Sequence, residues 1–272
     1  MTTAMGWDNV ATARMYEQFC RRHRRYRIAN DALAAHASLE MGMRVLDVAA
    51  GTGRTAQALL SELGENGHVL CVEPAAAMRT AGERRVRDAR VTWTDHLPDH
   101  SAQFDRIVCG AAIWQLLPLD GTIERLAAML SGDGALVFNV PAQYLREVDR
   151  PGGGRDPLLL ELPALIERSP AVPAQQTTTV QNAWLATTAG QIEHLLIANS
   201  LRVQRWSFDV RLTQAAYRDW LKIPPTSEGM LAGLPIDERV RRINRAYTYT
   251  DARSWRWEHW LGWTAWKTSS LR

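Results

Sequence analysis

The residues that could bind a ligand follow short apolar segments that predict strands. After the first of these segments, Asp47 precedes a run of small residues, Ala49-Ala50-Gly51-Thr52-Gly53. Small residues let a backbone approach a ligand closely, and a helix that starts behind them offers free N–H groups to a carboxylate or phosphate. A glycine-rich turn after a strand occurs in many folds, so this run alone is as compatible with a structural role as with binding.

Further polar groups follow the next predicted strands. Glu73-Pro74 comes about 20 residues beyond the glycines, a spacing that suits the binding of two ribose hydroxyls. After the third strand, Asp95-His96-Leu97 places an acidic group beside an apolar one, which suits the edge and face of an adenine ring. Gly110-Ala111 follows the fourth strand. Because ligands bind beyond the carboxyl ends of parallel strands, four such groups in order predict one binding site.

The elements that position these groups alternate between strand and helix. Apolar runs predict strands at 43–48, 69–72, 90–93, 104–109, 135–140, 201–210 and 257–266. Helices are predicted at 8–39, 54–63, 75–86, 121–130, 217–221 and 236–247, and a capping box at Thr188 and Gln191 predicts one more, ending near Ser200. This alternation indicates right-handed crossovers and a mostly parallel sheet with helices on both faces.

One segment interrupts the alternation. The stretch 141–186 contains Pro151-Gly152-Gly153-Gly154 and further prolines, which is typical of an insertion or lid. We expect a single domain over 1–272, with a helical cap at 1–40 and substrate-side insertions at 141–186 and 212–253. Pro224-Pro225 is expected to end a helix.

Four blocks of the sequence resemble the motifs of one enzyme family. The block Val45-Leu46-Asp47-Val48-Ala49-Ala50-Gly51-Thr52-Gly53 resembles motif I of class I S-adenosylmethionine (SAM) dependent methyltransferases, and Val72-Glu73-Pro74-Ala75-Ala76-Ala77-Met78 resembles their second motif. Asp95-His96-Leu97-Pro98 and Phe104-Asp105-Arg106-Ile107-Val108 resemble the third and fourth. The resemblance covers about 43–140 and is closest to small-molecule enzymes of the ubiquinone/menaquinone-biosynthesis type, including many secondary-metabolite enzymes.

The resemblance implies an α/β, Rossmann-like sheet of seven strands, mostly parallel, with the final strand antiparallel. It also implies methyl transfer from the cofactor SAM to a carbon, oxygen or nitrogen atom of a small organic acceptor, as part of secondary metabolism.

It further implies roles for individual residues. The methionine moiety of SAM would be held by Asp47 and by the backbone of Ala49, Ala50, Gly51, Thr52 and Gly53. Glu73, followed by Pro74, would bind the ribose, and Met78 would pack on the adenine. Asp95 and His96-Leu97 would fix the adenine edge and face, while the backbone of Gly110 and Ala111 would meet the amino-acid end. One departure is Ala49, where the family usually has glycine.

Three alternatives remain open. The first is NAD binding, because Gly51-Thr52-Gly53-Arg54-Thr55-Ala56 also fits the fingerprint of NAD-binding proteins. Against NAD, Asp47 lies just ahead of the glycines, where a pyrophosphate would be repelled. The Asp95 motif has no clear NAD role, and no Tyr-x-x-x-Lys pair is present. The second alternative is a SAM-binding enzyme with a non-methylating reaction, such as a cyclisation, and the third is a non-catalytic SAM-binding partner subunit.

On the acceptor side the catalytic candidates are His23, Tyr16 and Trp114. Tyr16, His23 and Tyr26 share a stripe at helical spacing, which we expect to face the cleft. His23 would then be a general base for an acceptor that carries a proton, the alternative being a structural histidine. Tyr16 corresponds to the N-terminal aromatic residue that family members often place over the cofactor. Trp114 suits a flat or apolar acceptor, although ordinary packing explains it equally well.

Composition narrows the remaining classes. The 272 residues carry a net charge of +3 and include 11 tryptophans. That small charge argues against a nucleic-acid partner. Cys20, Cys71 and Cys109 indicate no disulfide framework, and no CxxC or HExxH pattern indicates a metal site. The longest uncharged apolar stretch, 107–119, is too short to cross a bilayer. We therefore expect a cytoplasmic protein without a metal, and the apolar C-terminal region leaves a homodimer open.

Overall fold

Strands and helices alternate along the chain in a computed structural model that describes residues 6–99, 101–146, 187–231 and 233–268. The strands are β1 (Arg44–Val48), β2 (His68–Val72), β3 (Val91–Thr94), β4 (Phe104–Gly110), β5 (Leu130–Pro141), β6 (Leu201–Thr213) and β7 (Trp255–Lys267). The helices are α1 (Val10–Arg22), α2 (Arg25–Ala37), α3 (Arg54–Leu59), α4 (Ala76–Arg85), α5 (Leu119–Ala128), α6 (Ala189–Ala198), α7 (Gln214–Leu221), α8 (Pro224–Leu231) and α9 (Ile236–Tyr247).

All seven strands belong to one sheet in the order β3-β2-β1-β4-β5-β7-β6. The pairs among β1 to β5 are parallel, whereas β7 is antiparallel to both β5 and β6. The predicted α/β, Rossmann-like sheet with an antiparallel final strand is therefore confirmed. From β1 the chain adds β2 and β3 on one side of the sheet and then β4 on the other side. This change of direction in the strand order places a crevice at the carboxyl ends of β1 and β4.

Apolar side chains cover both faces of the sheet. In β5, Leu136 and Phe138 pack into one hydrophobic cluster, and Ala135 and Val137 pack into another on the opposite face. Successive side chains of a strand point to opposite faces, so a central strand covered on both sides is apolar at every position. This explains why β5 is a continuous apolar run in the sequence.

The N-terminal helix predicted at 8–39 is two helices. His23 has an extended backbone, and its N–H donates to the carbonyl of Phe19 (2.9 Å), which ends α1. α2 restarts at Arg25, so the predicted stripe does not continue across the break. α7 ends at Leu221, before Pro224-Pro225 as expected from the sequence. Pro224 also begins α8, which the sequence analysis did not predict, because proline lacks only an N–H that the first helical turn leaves unpaired.

Other local predictions are met. Thr188 and Gln191 form the capping box at the start of α6. In β7, Trp260 and Trp263 lie on opposite faces and are fully buried. Trp257 is 60% exposed, because β5 pairs with β7 only as far as Trp260, and β6 and β7 continue beyond it. Among the described residues, no helix has the length and apolar character to span a membrane.

The close contact of β6 and β7 at Gly262 gives the first prediction. A methyl group added at Gly262 would lie 2.3 Å from the Trp206 indole, which is stacked on His36 with ring centroids 4.0 Å apart. We expect Gly262→Ala to destabilise the protein by about 1–3 kcal/mol, measured by urea unfolding. Gly132→Ala is the control, because nothing lies within 4 Å of its added methyl. Equal stability of the two variants would contradict the packing described.

Candidate active site

One cavity lies at the switch point of the sheet, between the strand ends and the cap helices. Nine of the residues predicted from the sequence line it: Tyr16, Ala49, Gly51, Glu73, Pro74, Met78, Gly110, Ala111 and Trp114. The cavity is also lined by residues from α2 and α7, which are far from the motif residues in sequence. The cofactor-side and acceptor-side predictions therefore converge on one space.

The turn after β1 has an unusual backbone. Ala49, Gly51 and Gly53 all have positive φ angles, of 55°, 57° and 75°. Glycine adopts this conformation freely, whereas alanine pays about 1–2 kcal/mol for it. The usual glycine at position 49 in the resembling family thus has a physical reason, and Ala49 retains the same turn at a cost.

Asp47 lies fully buried at the end of β1, and neither of its carboxylate oxygens has a hydrogen-bond partner within the part of the chain that the structure describes. The pKa of Asp47 is raised from 3.8 to about 8, chiefly by burial and in smaller part by the nearby charge of Glu73. The backbone N–H of Ala56, in the first turn of α3, opposes this shift but lies outside hydrogen-bonding geometry. A buried carboxylate without a donor is costly, so this position is suited to a ligand that brings donors or positive charge.

Glu73 is held rigidly at the end of β2. Its two oxygens accept hydrogen bonds from the backbone N–H groups of Gly51 and Ala75, both at 2.8 Å. Burial raises the pKa of Glu73, and these two N–H groups oppose the shift. Because a carboxylate has about four acceptor sites, the fixed side chain can still accept from two hydroxyl groups of a ligand.

The remaining predicted cofactor residues lie around the cavity but do not line it. Thr52 donates to Glu17 of α1, which also pairs with Arg54, so α1 is attached to the glycine turn. Ala50 and Leu97 are buried in the hydrophobic clusters. Asp95 and His96 are exposed and bonded to each other at 2.6 Å. Their proposed contact with adenine would therefore lie on the open side of the site.

His23 does not reach the cavity. Its Nε2 lies 3.0 Å from the carboxylate of Asp219, which also pairs with Arg218 and Lys222. Tyr16 of α1 and Tyr26 of α2 line the cavity, but His23 does not, because it lies in the break between the two helices. The structure offers no support for His23 as a base.

The sequence did not single out the charged pair at the cavity wall. Arg25, 3% exposed, donates from Nε and Nη2 to the two oxygens of Glu258, 4% exposed, at 2.7 and 2.8 Å. Its guanidinium also lies over the rings of Tyr26, Trp220 and Trp260, at 4.9, 4.7 and 5.2 Å from their centroids. Burial alone would raise the pKa of Glu258, but Arg25 holds it below its usual value.

Aromatic side chains form the rest of this wall. Trp114 stacks on Tyr144 with centroids 4.8 Å apart, and each lies in a short 3₁₀ turn, Ile113–Gln115 or Ala142–Tyr144. Tyr16 and Tyr26 have centroids 5.4 Å apart.

The basic run at 21–27 is typical of a solvated helix face, and only burial distinguishes Arg25 from its neighbours. Its partner Glu258 lies 233 residues away, so no local signal indicates the pair.

The part of the chain that matches a known protein family is the part that contains the motif residues. Residues 45–134 match a family model described as a methyltransferase domain. This segment is a methyltransferase domain. The resemblance to class I SAM-dependent methyltransferases is thereby confirmed. The segment contains the glycine turn, Glu73 and the end of β4, whereas α1, α2 and the strands β6 and β7 lie outside it.

Relatives and solved structures extend this finding. The ubiquinone/menaquinone biosynthesis C-methyltransferase UbiE of Bordetella parapertussis is 26% identical over 158 residues, which are 50% of this chain and 61% of that protein. The chain thus spans less than two thirds of this relative.

Among solved structures, phosphoethanolamine N-methyltransferase 2 of Haemonchus contortus, in complex with phosphomonomethylethanolamine and S-adenosylhomocysteine, aligns with a TM-score of 0.52 and 18% identity. The alignment covers 88% of this chain and 52% of the other. The [4+2]-cyclase SpnF aligns with a TM-score of 0.54 and 18% identity, over 89% of this chain and 81% of the other. These structures share the fold of the methyltransferase domain.

Asp47 gives a prediction about pH and stability. Its folded-state pKa of about 8 lies above its usual 3.8, so the folded protein favours the protonated carboxyl. The contribution of Asp47 to stability therefore falls as the pH rises from about 4 to 8 and is level above that range. We expect Asp47→Asn to gain stability relative to the parent over this range, by an amount on the order of a few kcal/mol at pH 8.

This difference is measured by urea unfolding at several pH values. Asp31→Asn is the control, because Asp31 is exposed on α2. Asp209, 53% exposed, pairs with His259 and is kept as a control for ligand binding only. A stability difference between Asp47→Asn and the parent that does not change with pH would refute the assigned pKa.

The buried ion pair of Arg25 and Glu258, which connects the cap to the sheet, gives a prediction about stability. Glu258→Gln keeps the side-chain shape but leaves the Arg25 charge unpaired, so we expect a loss of roughly 3–5 kcal/mol in unfolding free energy. The double variant Arg25→Met/Glu258→Gln removes both charges and should recover most of this loss. If the double variant were no more stable than Glu258→Gln, the loss would not come from the unpaired charge.

Proposed function

We propose that this protein transfers a methyl group from SAM to a carbon, oxygen or nitrogen atom of a small organic acceptor. The observation that carries this proposal is that one cavity is lined both by motif residues of the methyltransferase domain and by an aromatic wall from the cap. Such a cavity holds a cofactor and a second molecule in contact, which a group transfer requires. The relative named as a C-methyltransferase supports the proposal from sequence.

The residues present fit SAM. When bound, SAM supplies an electrophilic methyl group on a sulfonium. Asp47 does not line the cavity, but its buried carboxyl lies behind the glycine turn, where the positive charge of the methionine end would favour its ionised form. Glu73 has free acceptor positions for both ribose hydroxyls. At Gly110 a methyl group would lie 2.7 Å from the hydroxyl of Thr55, so glycine is required where the end of β4 packs against α3.

Further contacts are assigned by the motif resemblance. Met78 would pack on the adenine, with Tyr16 over the cofactor, and both line the cavity. The backbone of Ala49 to Gly53 and of Gly110 and Ala111 would meet the methionine end, and Asp95 with His96 and Leu97 would meet the adenine. These roles remain predictions.

The cap residues would serve the acceptor. Methyl transfer from a sulfonium depends mainly on in-line positioning of the two reactants and on exclusion of water. Trp114 stacked on Tyr144 offers a flat apolar surface, which favours a flat or apolar acceptor. The insertion predicted at 141–186 lies outside the described residues from 147 onward, while α7, α8 and α9 occupy most of the insertion predicted at 212–253.

Experiment distinguishes this function from the three rival hypotheses. NAD fits less well, because the buried carboxylate of Asp47 lies directly behind the turn that would hold a pyrophosphate. The likeness to the cyclase concerns the fold alone, so a non-methylating reaction or a non-catalytic SAM-binding subunit differs from the proposal only in turnover. The homodimer and the cytoplasmic location also remain predictions.

The deciding measurement is a thermal melt with S-adenosylhomocysteine and, separately, with NAD. At about 100 times its dissociation constant a ligand stabilises by roughly 2.7 kcal/mol, which should raise the midpoint by about 5–10 °C. We expect this shift with S-adenosylhomocysteine only. Glu73→Gln should weaken S-adenosylhomocysteine binding at least tenfold, because it removes the charged acceptor, and Asp209→Asn should not. A shift with NAD alone would overturn the proposal.

A positive melt is followed by an acceptor screen with radiolabelled SAM. Transfer of label to any small acceptor supports the methyltransferase function. Cofactor binding without transfer to any acceptor in a broad panel would favour a non-methylating enzyme or a non-catalytic subunit.

A further inference from the structure

The hydroxyl of Tyr26 has an uncommon set of hydrogen bonds at the cavity wall. Its oxygen accepts from Arg25 Nη1 at 2.9 Å and from the indole Nε1 of Trp220 at 3.0 Å. Guanidinium and indole nitrogens are donors only, so the direction of both bonds is fixed. A phenolic oxygen accepts two hydrogen bonds, and both of its acceptor positions are therefore occupied.

The proton of this hydroxyl has no acceptor among the described residues. Tyr26 lines the cavity, so the remaining hydrogen bond of its hydroxyl is available to a molecule bound there. A hydroxyl that accepts two bonds, one of them from a cation, is also a stronger donor than an isolated phenol. Tyr26 is thus a donor without an internal partner, located in the space that the acceptor would occupy.

The neighbours of Tyr26 hold it in place. Arg25 is fixed by Glu258 through two bonds, and Trp260 Nε1 donates to the same carboxylate at 2.8 Å. Because the charges of Arg25 and Glu258 compensate each other, this wall does not require a full opposite charge on the bound molecule. It offers instead one directed hydrogen bond in aromatic surroundings that include Trp114 and Tyr144.

We propose that Tyr26 recognises the methyl acceptor by donating its hydroxyl proton to an oxygen of a flat molecule, either a carbonyl or an ionised hydroxyl group. Arg25, Glu258 and Trp220 act through Tyr26 as positioning residues. This inference rests on the proposed function, since it assumes that the cavity holds an acceptor beside the cofactor. It makes Tyr26 the residue that selects acceptors with a carbonyl or ionised hydroxyl group over molecules of similar shape that lack one.

The test uses 4-nitrophenol, whose ionisation is visible by absorbance, and nitrobenzene, which lacks the hydroxyl group. Both are titrated into the full-length protein saturated with S-adenosylhomocysteine. We expect 4-nitrophenol to ionise at a pH about one unit lower when bound than when free, because a donor favours the charged form. Tyr26→Phe should lose most of this shift and bind 4-nitrophenol about tenfold more weakly, while its affinity for nitrobenzene is unchanged.

Two further variants separate recognition from structure. Trp220→Phe removes one donor to the Tyr26 oxygen without removing the hydroxyl, so a smaller loss of the ionisation shift is expected. Tyr249→Phe, at an exposed tyrosine away from the cavity, should behave as the parent. If Tyr26→Phe does not fold, as judged by its melt, the ionisation shift of 4-nitrophenol bound to Trp220→Phe tests the inference instead.

The outcomes are distinct. An unchanged ionisation shift in Tyr26→Phe, equal weakening of both probes, or no binding of 4-nitrophenol to the parent would each overturn the inference. Failure of the proposed function is read separately, from the melt with S-adenosylhomocysteine. If the parent protein binds 4-nitrophenol with the ionisation shift but does not bind S-adenosylhomocysteine, Tyr26 is a hydrogen-bond donor and only the proposed cofactor is wrong.

Discussion

Arg25 and Glu258 meet between the first turn of α2 and strand β7, in a place that water scarcely reaches. A buried guanidinium is tolerated only when a carboxylate compensates its charge and its N–H groups are bonded, and here two bonds to Glu258 and one to Tyr26 do so. Since the pair joins residues 233 positions apart, it fixes the N-terminal cap to the antiparallel side of the sheet. The orientation of Tyr26, and with it the acceptor side of the cavity, depends on this contact.

The cofactor side of the cavity contains two features that lower the stability of the folded protein. Asp47 is buried without a partner, and Ala49 has a backbone conformation that suits glycine. Unpaired buried groups and strained backbone persist where a ligand site requires them. The two sides thus differ in kind. On the acceptor side the buried charges form an internal pair and the Tyr26 hydroxyl keeps its proton for a ligand, whereas the cofactor side is suited to a ligand that supplies donors and positive charge.

Most of the fold could be predicted because its signals are local. Apolar runs separated by polar turns indicated every strand, and Thr188 with Gln191 indicated the start of α6. The errors arose where distant contacts decide the local structure. The break between α1 and α2 occurs at His23, whose side chain pairs with Asp219, 196 residues away, and nothing between residues 8 and 39 announces it. His23 therefore does not line the cavity, whereas Arg25 and Tyr26 in the first turn of α2 do.

The sequence by itself determined the order of the elements, the glycine turn after β1 and the carboxylate after β2, because backbone propensity and strand periodicity are properties of neighbouring residues. Only the tertiary structure decided which arginine of the run at 21–27 is buried, which tyrosine keeps a free proton, and that Asp47 has no partner. These facts depend on burial and on pairing across the chain. Hydrogen-bond saturation and desolvation act on groups brought together in space, so no spacing of residues along the sequence contains them.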